Sequence, residues 1–230
     1  MVTESEIKRL LRTLADKDPD LHAAPRTLVV GPVRHIVRLI RFSSHLKTQF
    51  NLAINLDPLC DHTYNSAYFF AYYFGLPFAW KTDDKNFPRP HFAQLFGWVI
   101  PAMKQVNSLE QTMAAWEVRI PPGLPWRVRF FAQGYVMLGD FGAAGRELRD
   151  SRRNMFNSWS PGLGDKLADE QGNFPLASKR ALLALMHRRE AAKAAELNLD
   201  RTLWEPSLFP AEITYPELRV LRPDGTVMDD

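Results

Sequence analysis

An eight-residue stretch, Gln49 to Leu56, constrains this chain more than any other. Its side chains sort by parity, with Phe50, Leu52, Ile54 and Leu56 on one set of positions and Gln49, Asn51, Ala53 and Asn55 on the other. Successive side chains of a strand point to opposite faces, so this alternation predicts a half-buried β-strand with one apolar and one polar face. Burying each apolar side chain contributes roughly 1.5 to 3 kcal/mol before conformational entropy is subtracted. Such a strand needs neighbours, and Thr27 to Val30 and Val33 to Phe42 are both rich in β-branched residues. Val33 to Phe42 also fits a helix opening after Pro32, since Arg34, Arg38 and Arg41 recur at i, i+4 and i+7 opposite Val33, Ile36, Val37 and Ile40. The β-branched content and the short polar break Ser43-Ser44-His45 favour a hairpin. The expectation is an antiparallel sheet of three to five strands built on Val33 to Leu56.

Around the sheet the pattern turns helical. Thr3 and Glu6 have capping-box spacing, and Ile7, Leu10, Leu11 and Leu14 follow at helical intervals, predicting a helix from Glu4 to Ala15. Asp16 to Pro25 reads as a polar connector. Tyr64 to Phe78 is crowded with aromatic side chains that either a strand or a helix buried on most sides could hold, with strand the favoured reading, and Lys81 to Asn86 is an exposed loop. His91 to Val106 carries Phe92, Leu95, Phe96, Val99 and Met103 at helical spacing, with Pro101 placed to bend or split the helix. Ser108 and Gln111 form a second capping box, starting a helix through Val118. The run Ile120-Pro121-Pro122-Gly123-Leu124-Pro125 can continue neither helix nor central strand. It divides an α+β part, 1–118, from a mainly helical part, 119–230, expected to pack on it as one compact unit.

Trp126 to Leu138 and Ala143 to Phe156 read as two helices joined through Gly139-Asp140-Phe141-Gly142. The string from Gly134 to Ala144 is similar to the helix-turn-helix junction of tetratricopeptide-type repeats. No second copy follows at a period near 34 residues. The resemblance therefore implies an αα-hairpin. Ser178 is placed to cap a long helix reaching Leu199, with Leu182, Leu185, Met186, Ala194 and Leu197 near one face. Lys179, Arg180, Arg188, Arg189 and Lys193 are spread around the rest. A small strand at Leu218 to Leu221 precedes a Pro-Asp-Gly turn. The predicted fold class is α+β, with an N-terminal helix, an antiparallel sheet and a C-terminal helical section containing the αα-hairpin.

Function is less legible. Cys60 is the single cysteine, which rules out an intrachain disulfide and the four-cysteine zinc patterns and fits a reducing cytoplasm. Met1 to Asp20 is too charged for a secretory signal. The longest apolar run, Ala67 to Trp80, is broken by Gly75 and Pro77 and falls short of the ~20 residues that cross a bilayer, so no membrane contact is expected. The net charge of +3 conceals a division. Residues 26–56 hold Arg26, Arg34, Arg38, Arg41 and Lys47 with no acid, while residues 202–230 hold six acids against Arg219 and Arg222.

Arg34, Arg38, Arg41 and Lys47 are the candidate phosphate or nucleic-acid ligands, because guanidinium groups suit bidentate phosphate contact. Asp57, Cys60, Asp61 and His62, with His35 and His45, could supply a thiolate or hold a divalent metal. Their spacing matches no catalytic signature, and a capped turn is the expected role. No catalytic residue, metal or cofactor is assigned. Trp159 and Trp204 are candidate partner contacts, since tryptophan and arginine dominate interface hot spots. The leading expectation is a non-enzymatic protein-interaction protein, an accessory or adaptor subunit of an intracellular bacterial-type complex with another protein as partner. A nucleic-acid-binding module using residues 26–47 is the second reading, and a hydrolase-type enzyme at the Asp57 to His62 turn the third.

Overall fold

The computed structural model describes residues 4–46, 49–60, 79–81, 93–117, 125–153 and 174–228. They belong to two compact units. The first comprises Met1–Asp57, Thr63–Asn107 and Ala194–Trp204, and the second Pro58–His62, Ser108–Lys193 and Glu205–Asp230.

The first unit opens with helix α1 (Glu4–Ala15), which buries Ile7, Leu11 and Leu14 as their spacing predicts. A five-stranded sheet follows with its strands in chain order: β1 (Leu21–Ala24), β2 (Thr27–Val30), β3 (Ile36–Leu46), β4 (Gln49–Pro58) and β5 (Ala79–Lys81). Leu21 lies opposite Val30, Leu28 opposite Ile40, and Phe50 opposite Trp80, in antiparallel register. The contested segment is therefore a strand from Ile36 onward. It runs on through Ser43-Ser44-His45 to Leu46, because ladder pairing outweighs the weak turn signal of two serines. The Asp16 to Pro25 connector is not all connector: Leu21 and Ala24 are buried in β1, and pairing with β2 overrides the low strand propensity of Leu-His-Ala-Ala.

The alternation of β4 holds at Ile54 and Leu56, both fully buried, but the second set of positions does not stay at the surface near the strand's end. Asn55 and Asp57 are buried as well, and Asn55 Nδ2 donates to Asp57 Oδ2 at 3.0 Å. Residues two apart on a strand share a face, so the Asn55 amide N–H meets the Asp57 carboxylate there and lowers the cost of its burial.

Two helical residues after 92 lead into a wide turn, Leu95–Val99, and then helix α2 (Ile100–Gln105). Pro101 has no N–H to offer the carbonyl four residues back. The ladder shifts register ahead of it, with Ile100 N–H reaching Leu95 O. Lys104 of α2 lies between Asp18 and Asp20, at 2.8 and 2.7 Å. The last stretch of the unit returns to the sheet margin, where Val33 N–H donates to Leu203 O and Val33 forms a parallel bridge with Trp204.

The second unit is helical. Ser108 caps α3 (Leu109–Glu117), its Oγ accepting Gln111 N–H at 3.2 Å as the spacing predicts. Helix α4 (Pro125–Leu138) starts on a proline, whose fixed φ suits a first helical position. It turns into α5 (Phe141–Arg153) through a Schellman closure, in which Gly139 N–H reaches Val136 O and Asp140 N–H reaches Tyr135 O. Gly139 takes a φ of +86°, a conformation only glycine adopts cheaply. Asp140 then caps α5 by accepting Ala143 N–H at 2.8 Å, completing the expected αα-hairpin.

A Cβ at Gly134 would sit 2.4 Å from Met113 Sδ, so this glycine sets how closely α3 and α4 approach. Trp116 stacks on Phe130 in the core between them, with ring centroids 4.7 Å apart. Helix α6 (Leu176–Glu196) starts two residues ahead of Ser178, its first turn closed by Lys179 N–H on Pro175 O. The chain ends in a short helix α7 (Pro210–Thr214), a 3-10 turn (Pro216–Leu218) and the expected Pro223-Asp224-Gly225 reversal, with Leu221 bridged to Val227. Among the described residues no helix is long and apolar enough to cross a membrane.

Candidate interaction surface

Helix α7 is five residues long and runs against the usual sorting of side chains. Pro210 at its first position and Glu212 at its third are ordinary start signals. Yet Glu212 is 0% exposed, while Ile213, the next residue, is 62% exposed and Tyr215 42%. Acids are almost never fully buried unless their charge is met, and here it is met from four directions. Oε2 accepts His187 Nε2 at 2.6 Å and Phe209 N–H at 3.0 Å, and Oε1 accepts Val220 N–H at 2.9 Å and Leu221 N–H at 3.3 Å. His187 comes from α6 and is itself buried, its ring stacked on Phe209 with centroids 4.0 Å apart.

One carboxylate thus ties the residues before α7, the residues after the 3-10 turn, and the long helix. Burial works against its charge, but the His187 contact and the backbone donors outweigh it. The Glu212 carboxyl is held below its ordinary range.

Because Ala211 and Glu212 take the inward positions, the next step around the helix turns Ile213 outward. Its neighbourhood can be followed residue by residue. The Tyr215 ring lies against Gly139, 2.9 Å from where a Cβ would sit, so the hairpin turn and the C-terminal segment meet there. Phe141, two residues on, has its ring 6.1 Å from that of Phe174 and 4.6 Å from Lys179 Nζ. Leu176, at the start of α6 one turn before Lys179, is 53% exposed. Arg180 Nη1 donates to Glu217 O at 3.0 Å, and Arg219 Nε to Glu212 O at 3.3 Å. Among the described residues the exposed large apolar side chains are Trp98, Leu176, Ile213 and Tyr215, the last three in the second unit.

The residues singled out from sequence fare differently. Arg38 is buried and cannot reach a phosphate in solution. Its guanidinium donates to Val30 O at 3.2 Å, Met103 O at 3.5 Å and Val106 O at 3.3 Å, and also to Pro32 O. Desolvation lowers its pKa, and the charge of Asp20 opposes that shift. Arg34 is exposed, Arg41 half-buried, and Lys47 lies outside the described residues. Asp57 is buried against Asn55. Cys60 is buried with Sγ 3.9 Å from Gln133 Oε1. Asp61 and His62 lie outside the described residues, and so do the side chain of His45 and all of Trp159. His35 is half-buried. Trp204 is half-buried beside Val33. Among the described residues no group of three or more histidine, cysteine, aspartate or glutamate side chains could hold a metal ion.

Sequence reasoning missed Glu212, His187 and the exposed pair around them. Glu190 and Lys193, one and two turns on from His187, are also buried, although Lys193 reads as surface in the sequence. The signal within reach was Pro210-Ala-Glu212 as a helix start with its acid at the position that bonds back to the preceding N–H.

No protein-family model, curated protein or solved structure matches the chain.

Proposed function

We propose that the chain is a non-enzymatic protein-interaction protein, an accessory or adaptor subunit of an intracellular complex, and that the Ile213 and Tyr215 edge is its contact surface. The observation that carries the reading is the inversion in α7, an acid at 0% exposure beside an isoleucine at 62%. Covering Ile213 would contribute about 1.5 to 3 kcal/mol, and Tyr215 and Arg219, two and six residues on, are of the types that dominate interface hot spots. Tyr215 meets the turn of the αα-hairpin at Gly139, and the buried single cysteine suits a reducing cytoplasm.

The test is affinity capture from the native cell with the wild-type chain and Ile213→Asp, a substitution at an exposed site that leaves the fold intact. A stoichiometric partner retained by the wild type and lost by the variant is the expected result. A partner retained equally by both sinks the surface, and no partner at all sinks the reading.

A further inference from the structure

We draw no further inference here: the strongest candidate, the side-chain cluster on the αα-hairpin where the Arg127 guanidinium lies over the Phe131 ring with its buried Nε unpartnered, is already faced by Glu147 at 3.8 Å, and nothing among the described residues shows an opening through which a ligand would reach it.

Discussion

Replacing Glu212 with glutamine tests whether one carboxylate holds the C-terminal segment to α6. The two side chains have the same shape, so no cavity opens. What changes is hydrogen-bonding capacity, because a carboxylate accepts on both oxygens and an amide on one. Four donors converge on Glu212, two per oxygen. If the amide oxygen serves Val220 and Leu221, the NH₂ group faces Phe209 N–H, donor against donor. His187 can change tautomer and accept, but a backbone N–H cannot. One buried donor is orphaned, at about 1 to 3 kcal/mol, and the remaining contacts lose their charge assistance.

The expected cost is about 3 kcal/mol, and Glu212→Ala, which abandons all four donors, costs about 4 to 5. At roughly 2 kcal/mol per M the glutamine variant should unfold at a urea midpoint about 1.5 M lower. Amide exchange at Val220 and Leu221 should quicken by about 100-fold under conditions where the opening equilibrium governs it. A midpoint moved by less than about 0.3 M, with exchange unchanged, would refute the claim that this carboxylate holds the segment.

Three further outcomes follow from the same geometry. Glu212 is held below its ordinary value of 4.5, so its contribution is fully present above that pH and is lost as pH falls through the lower folded value; urea midpoints from pH 7 to 3 should decline in the wild type and decline less steeply in Glu212→Gln, where Asp18 still titrates. Arg38→Met should destabilise the first unit by about 3 to 5 kcal/mol by leaving four carbonyls without their donor, and Arg38→Lys should recover only part, both read from unfolding midpoints. Gly134→Ala should lower stability by about 1 kcal/mol in thermal unfolding despite alanine's better helix propensity, since its methyl meets Met113, and Met113→Val should recover part of that loss.

Elements governed by local periodicity were readable in advance. The stripe of α1, the cap at Ser108, the glycine-bearing turn at Gly139 and the β-branched run at Ile36 each follow from short-range rules. What escaped depends on partners far along the chain. Nothing near Arg38 announces that carbonyls of Met103 and Val106, more than sixty residues away, will surround it. The same holds for Asn55, whose burial is tolerated through Asp57, and for β1, which is a strand only because β2 lies beside it. Glu212 is the clearest case. An acid next to isoleucine reads as acid out and isoleucine in, and a histidine 25 positions upstream reverses the order.

The Glu212 tie also links the exposed Ile213 to the interior. His187 sits midway along α6, and the segment bearing Ile213 and Tyr215 closes over it through the Glu212 carboxylate and the stacked Phe209 ring. Residues joined in this way open and close together as one cooperative block, so the exposed edge is not a loop with a stability of its own. A ligand seated on Ile213 would slow amide exchange within α6, at residues it never touches, in proportion to its free concentration over Kd.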